Sequence, residues 1–149
     1  MISYFFIFFL PGIPSIYYGD EIGLYGQKDP FCRKCFTWNR IDKKILRFFK
    51  SLSTVRNKHS DFLSKASFEF FDVDNEISIY LRSLDKRSLV VIVNRSDSGI
   101  SIYVKLRNLI QTFSSTFEKS QINILFSIGK HSCLDYLDPF GAILIDIKS

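Results

Sequence analysis

The chain has 149 residues, 46% hydrophobic and 16% aromatic, with sixteen phenylalanines. That length suits one domain, or one small domain with a piece of another, and the composition favours a packed, β-rich protein over a disordered chain. The formal charge of +5 is spread without a long Lys/Arg run or a nucleic-acid-binding motif, so the basic residues read as a solvated surface.

The first stretch, Ile2 to Leu10, is apolar. It lacks the charged start and small-residue cleavage site of a secretory signal. Pro11, Gly12 and Pro14 interrupt it well short of the ~18 apolar residues a membrane helix needs. It reads as a buried run or helix end. Residues 12–18 then read as a buried strand, closed by Gly19. A continuous apolar run of this kind suits a parallel strand covered on both faces. Residues 19–38 form a long polar loop with Gly19, Gly23, Gly26 and Pro30, a length that favours a functional loop.

Asn39 is the expected N-cap of a helix over residues 40–58, with Asp42 three residues on. Ile41, Ile45, Phe48, Phe49, Leu52 and Val55 recur at helical spacing and make one apolar face. Strand, loop and helix form one β/α unit, which by itself closes no sheet and buries neither of its faces. The bare faces of residues 2–18 and of the helix imply that the isolated chain aggregates.

From about Ser60 the pattern changes. Residues 68–71, 76–82, 89–94, 100–106, 122–126 and 142–147 are short runs rich in β-branched and aromatic residues. Ile77, Ile79 and Leu81 alternate with Ser78, Tyr80 and Arg82, the half-buried strand pattern. Turn signals at 72–75, 85–87 and 97–99 separate the runs, and residues 111–121 and 128–141 read as loops. The spacing predicts an antiparallel sandwich or barrel.

Cysteines number three, an odd count that supports no disulfide framework. Cys32 and Cys35 form a C-x-x-C, but only His59, His131 and Cys133 remain as further ligands, and they are scattered. The pair reads as ordinary loop cysteines, and no metal or cofactor is expected. His59 and His131 read as surface or tail histidines.

The string GIPSIYYGDEIGL followed by KDPFCRKCFTW resembles the last barrel strand and its loop in the α-amylase family of glycoside hydrolases. The DPFCRKCFTW segment is most similar to the cyclomaltodextrinase and neopullulanase branch. The resemblance implies an α/β plus all-β chain: the last β/α unit of a (β/α)8 TIM barrel over residues 1–60, then an antiparallel Greek-key β-sandwich domain over 61–149. It further implies the C-terminal part of an enzyme hydrolysing α-glucosidic bonds with retention. That chemistry needs two carboxyl groups about 5–5.5 Å apart. Asp20 and Glu21 are chain neighbours that point apart in extended backbone, so they make a poor pair. The family's catalytic motifs are missing, and no catalytic residue is assigned.

A sugar-contact role is implied for Asp29 and Arg33, whose charge-assisted hydrogen bonds suit sugar hydroxyls. The other reading of this pair is an ion pair bracing its loop. Tyr18 and Glu21 would shape the site floor. Trp38 either stacks on a sugar face or anchors a core. The implied partners are an α-glucan oligosaccharide and the missing barrel portion, without nucleic acid or membrane, in the cytoplasm. The rival reading is a non-catalytic β-module that binds glucan or a partner protein.

Overall fold

A computed structural model describes residues 1–26, 28–29, 33–113 and 121–148. Its centre is a five-stranded antiparallel sheet in the order β1-β2-β3-β7-β5, built from β1 (Ser67–Val73), β2 (Ile77–Leu84), β3 (Arg87–Asn94), β5 (Gln121–Ile128) and β7 (Ala142–Lys148). β1, β2 and β3 follow one another as hairpins. The chain then leaves the sheet and returns so that β7 lies between β3 and β5. β4 (Ile100–Ser101) pairs with β6 (Tyr136–Leu137) in a separate short ladder.

Alternate side chains of the central strands feed two cores. On one face Tyr80, Leu89, Val91, Val93 and Leu144 pack under α1 (Ile2–Phe8), α2 (Lys43–Lys58) and α3 (Ser60–Lys65). Phe5, Phe8, Phe9, Phe49, Leu52 and Leu63 supply the helical side of that contact. On the other face Ile77, Ile79, Leu81, Val90, Ile92, Ile143 and Ile145 meet Ile102 and Leu137, with Leu106, Leu109 and Ile110 of α4 (Tyr103–Phe113). A period of two along a strand sends successive side chains to opposite faces, and here both faces are covered.

The antiparallel strands stand where the sequence places them, with three differences. The first is the layer opposite the helices. It is a helix and a two-stranded ladder rather than a second full sheet. The run from Ile100 gives only two strand residues before α4 begins. Ile102, Leu106, Leu109 and Ile110 are spaced for a helix, and a short β-branched start cannot be told from a strand by pattern alone. The second difference is β2, where Tyr80 and Arg82 are buried instead of facing water, because α1 and α3 cover them.

The third difference concerns the expected barrel strand. Residues 13–17 have irregular backbone, and every strand pairing described is antiparallel. Pro11 and Pro14 have no N–H to give a ladder, and a lone parallel strand has nothing beside it to pair with. Ile13 is 96% exposed. The apolar face of α2 is not bare, since it packs on the sheet with α1. Across residues 2–18 the exposed large apolar side chains are thereby narrowed to Ile7, Ile13, Ile16, Tyr17 and Tyr18. α2 starts later than anticipated. Asp42, not Asn39, is the cap, accepting from Lys44 N at 2.8 Å and Ile45 N at 3.1 Å. Asn39 sits in a turn closed by Arg40 N on Thr37 O.

Three polar side chains fasten α1 to the rest. Tyr80 Oη donates to Phe6 O at 2.5 Å, Arg82 Nη1 to Phe9 O at 3.0 Å, and Arg56 Nη1 to Phe8 O. The last carbonyls of a helix have no partner within it, so donors from α2 and β2 satisfy them.

Candidate functional site

The loop after α1 is built on a single 3-10 turn, Asp20–Ile22, flanked by Gly19 and Gly23 at φ of +91° and +75°. Only glycine adopts such angles without strain. A Cβ at Gly19 would also stand 2.6 Å from Leu24 Cδ2. Three contacts pin the turn. Leu24 N donates to Gly19 O at 2.8 Å, Asp42 N donates to Ile22 O at 3.1 Å, and the Tyr4 hydroxyl donates to the Asp20 carboxylate. Burial, with Asp20 beside it, pushes the Tyr4 hydroxyl up to about 12. The base of the loop is therefore fixed to α1 and to the start of α2, and its polar residues project from that base.

Asp29 and Arg33 form an ion pair, Nε to Oδ1 at 3.1 Å and Nη2 to Oδ2 at 3.3 Å, and both are largely solvent-exposed. An exposed pair of this kind adds little stability, so both groups are at hand for a polar ligand. The Tyr18 hydroxyl donates to Lys34 O at 3.1 Å. Lys34 Nζ donates to Tyr25 O at 3.4 Å and lies 5.5 Å from the centre of the Tyr25 ring. Trp38 is 77% exposed, with its ring 4.6 Å from that of Phe36. It anchors no core, which leaves its face open for stacking. Glu21 Oε2 is buried and has no hydrogen-bond partner among the described residues.

A cleft of about 180 Å³ opens between Tyr17, Tyr18, Asp20, Leu24, Tyr25 and Lys34. Of the five residues anticipated from sequence, Tyr18 lines it, while Asp29, Arg33, Glu21 and Trp38 stand outside its lining. Tyr17, Tyr25 and Lys34 were missed. The signal for Tyr25 was available, since it is an aromatic residue in a polar loop with no helical or strand period to bury it, whereas Tyr17 falls in the run that reads as a buried strand.

Asp20 and Glu21 lie in the 3-10 turn, not in extended backbone, so the sequence argument for their divergence does not apply. Their surroundings still unsuit them as a pair, because Asp20 is engaged by Tyr4 and a Glu21 oxygen is buried. Cys32 lies outside the described residues, so the C-x-x-C is not described as a unit. Cys35 and Cys133 are exposed free thiols. Among the described residues no group of three or more His, Cys, Asp or Glu side chains stands together in a form that would hold a metal ion. Nor is any described helix long and apolar enough to cross a membrane.

His59 is not a surface histidine. It is buried where α2 meets α3, with Nδ1 2.9 Å from Arg87 Nη2. Arg87 in turn holds Asp146 through Nε at 2.7 Å and Nη2 at 3.0 Å. Burial first, and then the Arg87 charge, hold the His59 imidazole below its usual value, so Nδ1 accepts from Arg87. His131 is exposed, as expected, with Nδ1 3.4 Å from Asp138 Oδ1.

No family model matches the chain. Among curated proteins it is 32% identical to a cyclomaltodextrinase of Thermoanaerobacter pseudethanolicus, over 94% of this chain and 23% of that protein. It is 35% identical to an intracellular maltogenic amylase of Bacillus subtilis, over 70% of this chain and 18% of that protein. An amylopullulanase of Thermoanaerobacterium thermosulfurigenes is 28% identical over 93% of the chain and 8% of the protein. The chain thus spans less than a quarter of the length of each of these relatives. Among solved structures, an α-amylase of Geobacillus thermoleovorans complexed with acarbose matches with a TM-score of 0.76 at 19% identity, over 99% of this chain and 32% of that one. A cyclic α-maltosyl-(1→6)-maltose hydrolase of Arthrobacter globiformis, in complex with that sugar, matches with a TM-score of 0.72 at 23% identity, over 97% and 29%. The chain is thus a homologue of cyclomaltodextrinases, maltogenic amylases and amylopullulanases of the α-amylase family, and its antiparallel sheet matches their C-terminal domain.

Proposed function

We propose that this chain is the C-terminal part of an α-glucan hydrolase that cleaves α-glucosidic bonds in maltodextrins or cyclodextrins with retention, and that it is inactive alone. In this reading residues 1–60 are the last β/α unit of the barrel, with residues 12–18 becoming a strand only beside its neighbours. Residues 61–149 are the C-terminal β-domain. The observation that carries the reading is the loop. Its base is pinned at Gly19–Gly23, and it presents the Asp29–Arg33 pair and an open Trp38 face to solvent. A carboxylate and a guanidinium fix sugar hydroxyls by directional hydrogen bonds, and an aromatic face takes the apolar side of a sugar ring. Tyr18 and Glu21 would shape the site floor in the full-length enzyme. The compartment is the cytoplasm, the partners are an α-glucan oligosaccharide and the remaining barrel, and no cofactor takes part.

Retaining hydrolysis requires a nucleophile and an acid/base facing one bond, and Asp20 and Glu21 do not supply them. Purified residues 1–149 are expected to release no reducing sugar from maltodextrin or cyclodextrin. Turnover that follows the purified chain through chromatography would contradict the reading.

A further inference from the structure

We propose that the cleft between α2, α3 and the segment following α1 binds a small oxyanion of the phosphate or carboxylate class, held by Arg56 with Arg82 behind it. The cleft has a volume of about 500 Å³, and Arg56, Asn57, Ser60, Arg82 and Ile13 are among its lining residues. That size falls within the range of small-molecule sites, roughly 300–1,000 Å³. No Asp or Glu among the described residues lines it.

The comparison that decides is with Arg87, the third arginine of this region. Arg87 is matched by Asp146 in a two-bond pair. Neither Arg56 nor Arg82 has a carboxylate partner among the described residues. Arg82 is 2% exposed and gives four hydrogen bonds, all to backbone carbonyls, those of Ser67, Phe9, Leu63 and Ala66. Arg56 bonds Phe8 O and Gly12 O. Its Nε–H and one hydrogen on each terminal nitrogen make no hydrogen bond among the described residues. The carbonyl ends of α1 and α3 carry a partial negative charge, roughly half an elementary charge per helix in a long helix and less in short ones. Two full guanidinium charges thus share one cleft, and among the described residues backbone carbonyls are what faces them. Both side chains are disfavoured as cations by burial, and Arg82 further by Arg56. An oxyanion removes that imbalance. The planar fork of Arg56 suits a carboxylate or a phosphate, and Asn57 and Ser60 add neutral donors at the rim.

The test uses the 149-residue chain, titrated with sodium phosphate and in a second arm with sodium succinate, chloride holding the ionic strength constant. The Arg56 Nε–H resonance is followed by ¹H–¹⁵N NMR, and the thermal midpoint is read in parallel. A saturable shift at Arg56 with a rise in midpoint is expected in at least one arm, and the arm that gives it identifies the ligand class. Ile13→Glu places a carboxylate at the cleft mouth from a position 96% exposed, so the fold is kept. It should weaken binding about tenfold or more, a change of ~1.4 kcal/mol. Absence of a saturable shift in both arms would overturn the proposal. So would binding that Ile13→Glu leaves unchanged.

Discussion

The sheet with its two covers and the loop from Gly12 to Ile41 follow opposite rules. Ile79, Val90, Ile92 and Ile143 are fully buried, and each is held by neighbours on its own and adjacent strands. In the loop most of the large side chains face water: Ile13, Tyr17, Tyr25 and Trp38 are all exposed, and Ile22 at the base is the buried exception among those described. The core owes its order to apolar burial, whereas the loop owes its order to a few polar pins at its base. Stability therefore concentrates in the sheet, and chemistry able to meet a ligand concentrates in the loop.

The sharpest way to break this comparison is a pair of substitutions. Ile92→Ala should destabilise the chain by about 2–5 kcal/mol in urea unfolding, because Ile92 sits at the centre of the sheet with no room to collapse. Ile13→Ala should change stability by no more than about 0.5 kcal/mol. Equal effects would mean that the loop belongs to the core.

Next in size is Arg82→Met. It strips the donors from four backbone carbonyls, three of them in buried bonds and so costly to leave unsatisfied, and should destabilise by about 3 kcal/mol. Amide exchange should rise in α1 and α3 more than in β3 and β7, since Arg82 ties those helices to β2. A uniform rise would mean that the helices unfold only with the sheet.

The smallest effect is a pH dependence. His59 is held below its usual value in the fold, so the unfolded chain takes up a proton first as pH falls. Its contribution is fully present above the unfolded value of ~6.5 and is lost as pH drops through it toward the folded value. His59→Gln should flatten that part of the stability curve. A slope unchanged by the substitution would place the titration elsewhere.

Sequence pattern reveals β1, β2, β3, β5 and β7 because alternation and turn residues are local properties. The helical face of α2 was legible for the same reason, through Phe49 and Leu52. What covers a face is not local. Tyr80 and Arg82 look half-buried on their strand, and only the arrival of α1 and α3 makes them core. Residues 12–18 carry the composition of a strand, yet backbone pairing is a property of two chain segments, and composition supplies one. Within the loop, Asp29, Arg33 and Trp38 were singled out through the family resemblance, whereas the Tyr17–Tyr25–Lys34 cleft depends on how the pinned turn folds back.

Trp38 is the single tryptophan of the chain, so its fluorescence reports on the loop alone. The most direct test is a titration of the 149-residue chain with maltotriose, read by Trp38 emission and repeated with Asp29→Ala and Arg33→Ala. A saturable change that either substitution weakens, with the unfolding midpoint of the variants unmoved, is the expected result. Maltotriose binding that leaves Trp38 emission constant and survives both substitutions would place the sugar on the sheet domain and contradict the account.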